Sequence, residues 1–88
     1  MTDTQESLLQ FPCEFAIKIF GRASDDFEIA VIGLIRKHTD LAENAIKTRL
    51  SADNTYLALT ITITANSQTQ LDTIYRDLSS HPLVLMAL

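Results

Sequence analysis

The chain has 88 residues, enough for one domain, and a domain of this size buries only roughly 60–65% of the surface its unfolded chain exposes. Apolar residues make up 47% and charged residues 20%, a balance that excludes intrinsic disorder. The net charge of −4 is poor equipment for gripping a nucleic-acid phosphate backbone.

Met1-Thr2-Asp3-Thr4-Gln5-Glu6-Ser7 carries neither the basic nor the apolar stretch of a signal peptide. No apolar run approaches the roughly 18 residues of a membrane span. The single cysteine, Cys13, can form neither an internal disulfide nor a zinc site by itself. These features predict a cytoplasmic protein with no membrane contact.

Residues 1–10 read as a flexible lead-in, closed by Phe11-Pro12, because proline fixes its own backbone and pushes Phe11 to an extended shape. From Phe15 to Phe20 apolar and other residues alternate, with Phe15, Ile17 and Ile19 on one face and Ala16, Lys18 and Phe20 on the other. Period two predicts a half-buried strand, which Gly21 is expected to end. Ser24-Asp25-Asp26 offers helix-capping oxygens, and Asp25 with Glu28 has capping-box spacing. Phe27, Ala30, Val31, Leu34 and Ile35 then give the stripe of an amphipathic helix. Arg36, Lys37 and His38 suit its negative dipole end. Gly33 is expected where this helix packs closely on a neighbour.

Residues 44–51 read as a second strand, with Ile46, Thr48 and Leu50 inward and Lys47 and Arg49 outward. A turn at Ala52-Asp53-Asn54 leads into the clearest strand, Thr55 to Ala65. There Leu57, Leu59, Ile61 and Ile63 alternate with Tyr56, Ala58, Thr60, Thr62 and Thr64. Ser67-x-x-Gln70 is a second capping box, and Leu71, Ile74, Tyr75 and Leu78 form a second helical stripe. Ser79 to Pro82 breaks this helix, and Leu83 to Leu88 reads as a final short strand. The order β-α-β-β-α-β is the ferredoxin-like split βαβ motif, an α+β fold. Right-handed crossovers put both helices on one face of a four-stranded antiparallel sheet, with the first and third strands central.

Four segments also carry a family resemblance. They are Leu8-Leu9-x-Phe11-Pro12 running into Phe15-x-x-Lys18-x-x-Gly21; Tyr56 with Thr60-Ile61-Thr62-Ile63; Gln70-Leu71-Asp72-x-Ile74-Tyr75-Arg76-x-Leu78; and His81-Pro82-x-Val84-x-Met86-x-Leu88. Together they resemble the YbeD-like proteins, small bacterial proteins sometimes labelled lipoate regulatory proteins. Asn54 stands in the hairpin where that family commonly has glycine, and asparagine tolerates the same backbone. The resemblance implies a fold similar to ACT domains, which bind amino acids and regulate metabolic enzymes. It implies no particular activity.

The residue pattern points to no enzyme and no cofactor. Cys13, His38 and His81 have no metal-ligand spacing, and nothing near Cys13 would activate a thiolate. No phosphate-binding glycine loop is present, since Gly21 and Gly33 are the only glycines. The loop after the first strand lacks the paired cysteines of copper chaperones and the glycine-rich signature of acylphosphatases. RNA-recognition motifs share the topology, but aromatics are few here and threonines occupy the middle of the sheet.

What remains is the sheet face turned away from the helices. It is expected to present Ala16, Lys18, Phe20, Lys47, Arg49, Tyr56, Ala58, Thr60, Leu85 and Ala87. Lys18, Phe20, Lys47, Arg49, Tyr56 and Leu85 are the candidate contact residues for a protein partner, either an acidic one or a second copy in a homodimer. The alternative is an ACT-like sensor holding an amino acid or a lipoyl-type ligand near Gly21 and Arg22, where the first strand meets the first helix. RNA binding is the weakest of the three readings.

Overall fold

The computed structural model describes residues 10–88, so the expected lead-in lies outside the described residues except for its last position. The elements follow the βαββαβ order: β1 (Cys13–Arg22), α1 (Asp25–Arg36), a 3-10 turn (Glu43–Ala45), β2 (Ile46–Leu50), β3 (Tyr56–Ala65), α2 (Gln68–Ser80) and β4 (Met86–Ala87). The sheet order is β2-β3-β1-β4, with every pair antiparallel. The four-stranded antiparallel sheet, the central places of β1 and β3, and both helices on one face are as expected.

One cluster forms the core. Ile17, Ile19, Leu57, Leu59, Ile61, Ile63 and Ala65 come from the sheet, Phe27, Val31 and Ile35 from α1, and Leu71, Ile74 and Leu78 from α2. Truncating a side chain of this kind to alanine costs about 2–5 kcal/mol. Among the described residues no charged or polar side chain is buried with them.

The caps differ from the expected boxes in one detail each. Ser24, not Asp25, caps α1, its Oγ accepting the Phe27 N–H at 3.0 Å. Asp25, Asp26 and Glu28 then occupy the first turn, where negative charge meets the positive dipole end. At α2, Ser67 Oγ accepts the Gln70 N–H at 3.0 Å, while Gln70 Oε1 accepts from Asn66 N–H rather than from Ser67. His38 closes the far end of α1 and meets Asp77 of α2, Nε2 to Oδ2 at 2.8 Å. The hairpin turn is as expected, with Asn54 left-handed at φ 61. Asp53 Oδ1 accepts from Ser51 Oγ–H and Thr55 N–H, and these bonds hold its carboxyl below the usual carboxylate range.

Several expectations need correction. Gly21 does not end the first strand, which continues through Arg22 in register with Tyr56. A side chain at Gly21 would collide with the Phe27 ring and sit 2.7 Å from the Leu83 carbonyl oxygen, so this glycine admits α1 to the sheet. Gly33 does not pack closely on a neighbour: among the described residues nothing lies within 4 Å of the Cβ a side chain there would have. The second strand starts at Ile46, after the 3-10 turn has taken Asn44 and Ala45. Thr48 and Leu50 are exposed, Leu50 to 52%, because the helices do not cover this edge. The final strand is shortened because His81 turns the chain, accepting Val84 N–H on its carbonyl and Leu83 N–H on Nδ1, both at 3.1 Å. Pairing to β1 resumes at Leu85, whose N–H donates to the Phe20 carbonyl at 2.8 Å.

Tyr75 bridges α2 to this last segment. Its ring meets Phe15 edge-on at 6.4 Å, and its O–H donates to the Leu88 oxygen at 2.8 Å.

Two stability predictions follow from these contacts. Gly21→Ala is expected to cost about 1–3 kcal/mol through overpacking against Phe27, read as a lower urea midpoint. Burial raises the Tyr75 pKa above its ordinary 10.0. The unfolded chain therefore loses this proton first, and the associated stability is complete below about pH 10 and lost as pH rises through the folded value. Urea midpoints measured from neutral to strongly alkaline pH should fall less steeply for Tyr75→Phe than for the unaltered chain.

Candidate functional site

The registers of the three strand pairs fix the open face as a lattice. One row runs Lys47 on β2, Thr60 on β3 and Lys18 on β1, with Leu88 beyond it through paired backbone bonds of 2.7 and 3.0 Å to Lys18. The next row runs Arg49, Ala58, Phe20 and Met86. A third pairs Tyr56 with Arg22, the guanidinium carbon lying 6.0 Å from the ring centroid, a cation–π distance. Toward the other end lie Thr62 opposite Ala16 and Thr64 opposite Glu14.

The result is a floor of small side chains along β3, walled by Lys47 and Arg49 on one flank and by Lys18 and Phe20 on the other. Tyr56 and Arg22 stand at its end. The walls are two strand spacings apart, roughly 9.6 Å. At the Tyr56 end the face sinks into a groove of about 210 Å³ with an almost wholly apolar lining, which includes Phe20, Arg49, Leu50, Tyr56 and Ala58.

Charge is sorted to match. Lys18, Arg22, Lys47 and Arg49 are four of the seven basic residues, whereas Glu14 is the one carboxylate among the open-face strand positions. The other described acids lie in α1, α2 and the loops.

Five of the six candidate contact residues, Lys18, Phe20, Lys47, Arg49 and Tyr56, therefore share one surface. Leu85 does not belong with them. Phe20 pairs with Met86 and Ile19 with Ala87, and Ala87 packs against the core. Met86 and Leu88 replace Leu85 and Ala87 on the open face, a shift of one residue. Leu85 stays 60% exposed at the strand's start. The run from Leu83 to Leu88 is apolar throughout, so no alternation marked which residues face outward. Arg22 was legible as an open-face residue, since it continues the series Lys18, Phe20. Assigning Gly21 as the strand's end hid it.

Gly21 and Arg22, the pair expected to meet a small ligand, fall on opposite faces. Gly21 is buried under Phe27, and Arg22 stands exposed beside Tyr56. The concavity near the start of α1 is a different one, an open groove of about 520 Å³ whose lining includes Ser24, Asp25, Glu28, Thr48, Leu50 and Asn54. Among the described residues no group of three or more His, Cys, Asp or Glu side chains could hold a metal ion, and no helix is long and apolar enough to cross a membrane.

Comparison with solved structures bears out the fold. A protein from H. pylori, HP0495, superposes with a TM-score of 0.79 over 100% of this chain and 93% of its own, at 11% identity. The ACT domain from GTP pyrophosphokinase of Chlorobium tepidum gives 0.64 over 85% and 94%, at 20% identity. In sequence, the UPF0250 protein of Chromobacterium violaceum is 43% identical over 89 residues, spanning all of both chains. The UPF0250 protein NE1487 of Nitrosomonas europaea is 41% identical, over 97% of this chain and 99% of its own. A family model described as "Protein of unknown function (DUF493)" matches residues 6–88. The YbeD-like resemblance is thereby borne out, and the chain belongs to the DUF493/UPF0250 family.

Proposed function

We propose that this protein is a non-enzymatic regulatory or adaptor domain that docks an acidic protein segment on its open sheet face. One observation carries the reading: four of the seven basic residues of a chain with net charge −4 lie on a single surface that also holds an apolar groove edged by Arg49. Apolar patches fringed by charge mark interaction sites. The aliphatic side chain of a partner would enter the groove between Phe20 and Tyr56, and its carboxylates would meet Arg22, Arg49, Lys18 and Lys47. Exposed cations of this kind act mainly on encounter rate and selectivity, so association should weaken with added salt.

A second reading, a small-ligand sensor, is favoured by the groove beside α1 and by the ACT-like fold. Its ligand would sit against Ser24, Glu28 and Asn54 rather than at Gly21 and Arg22.

The deciding experiment is an amide NMR titration with a synthetic peptide of glutamate and leucine, then with amino acids, octanoate and lipoate, then with single-stranded RNA. Peptide-induced shifts clustered at Lys18, Arg22, Lys47, Arg49 and Tyr56 are the expected result. Lys47→Glu combined with Arg49→Glu, both at exposed positions, should keep the dispersed spectrum and weaken peptide binding at least tenfold; unchanged binding would overturn the docking reading. Shifts confined to residues 23–28 and Asn54 on adding small ligands would favour the sensor. Salt-sensitive RNA binding at the same face would displace both.

A further inference from the structure

The outer face of α1 offers a surface that the sheet-face reading does not use. Phe27, Val31 and Ile35 bury one side of this helix. On the opposite side Asp26, Ile29, Gly33 and Arg36 are all exposed, Ile29 to 68%. An isoleucine so exposed on a well-packed helix has no role in the core. A glycine in a helix interior costs about 1 kcal/mol relative to alanine, and among the described residues nothing lies within 4 Å of the Cβ a side chain at Gly33 would have.

These four residues are spaced three, four and three apart, the spacing of a helix–helix seam. The series reads the same in both directions. An antiparallel copy centred on Val31 therefore sets Ile29 against Gly33 of the second copy, and Asp26 against its Arg36. Each such match occurs twice about the symmetry axis, as an isologous interface requires. The flanking charges agree with this orientation, since Asp25, Asp26 and Glu28 fill the first turn and Arg36 and Lys37 the end of the helix. A parallel pair would oppose like charges. Among the described residues the one contact between a basic side chain and a carboxylate is His38–Asp77, so no described residue pairs with Asp26 or Arg36.

We propose that α1 is a self-association surface, pairing antiparallel with α1 of a second copy of this chain, with the Ile29 side chain seated over Gly33. One helix pair buries less than the roughly 1,200 Å² of a standard stable interface, so the dimer should be weak and concentration-dependent. The helices lie on one side of the sheet, so both open faces of such a dimer would point outward.

Sedimentation velocity between about 10 μM and about 1 mM chain tests this, read against the 9.8 kDa monomer. The expected result is a shift toward twice that mass with rising concentration. Ile29→Glu should remain monomeric throughout. Gly33→Gln fills the recess while raising helix propensity, so it should stay folded and also remain monomeric. Asp26→Arg and Arg36→Asp should each weaken association at least tenfold, and the two combined in one chain should restore it to within a few-fold, because each altered residue again meets its opposite. A monomer at every concentration overturns the proposal. A dimer indifferent to Ile29→Glu and Gly33→Gln does so too, and failure of the double swap to restore association overturns the antiparallel register. The Lys47→Glu, Arg49→Glu variant should dimerise unchanged, and its loss of dimer would transfer self-association to the sheet face.

Discussion

The β1–β3 ladder is the constraint on which the rest of this structure depends. Ten successive residue pairs, from Cys13 opposite Ala65 to Arg22 opposite Tyr56, hold the two central strands together. Side chains alternate along each strand, so one register assigns Ile17, Ile19, Leu59, Ile61 and Ile63 to the helices and Lys18, Phe20, Ala58 and Thr60 to the other side. A slip of one residue would turn the whole apolar set outward. Burial therefore fixes the register, and the register in turn fixes which cations become neighbours.

The charge pattern follows from that assignment. Carboxylates cluster where helix starts and turns favour them, at Asp25, Asp26 and Glu28 in the first turn of α1 and at Asp53 in the hairpin turn. The open side of the sheet needs residues that tolerate pleated backbone and water together, and there the chain places Lys18, Arg22, Lys47 and Arg49. An overall negative charge thus coexists with one basic surface. The net charge alone said nothing about that surface.

Much of this was legible because both periodicities are clean. Alternation in β1 and β3 and the apolar stripes of α1 and α2 located the core, the order of elements and the side of the sheet left open. The misses have local causes. Gly21 suggested a turn, whereas its missing side chain makes room for Phe27, a tertiary fact that no short window contains. The parity of the last strand was hidden in an all-apolar run and set instead by the turn at His81. Thr48 and Leu50 point toward the helix side as read, but their exposure depends on how far the helices reach. Ile29 fell outside the first helical stripe, and its meaning emerges only beside Gly33 and Arg36.

The two sheet edges are guarded unequally. β2 exposes Lys47 and Arg49 along its margin, the usual deterrent to stray strand pairing. On the other side, among the described residues, 85–88 cover β1 only from Lys18 to Phe20, through backbone bonds at Lys18 and Phe20. Should that short segment peel away, the stretch of β1 from Lys18 to Phe20 would become a bare margin as well. A strand that loses its cover offers unpaired backbone groups to a second chain, so these few bonds are the sheet's guard against stray strand pairing on that side.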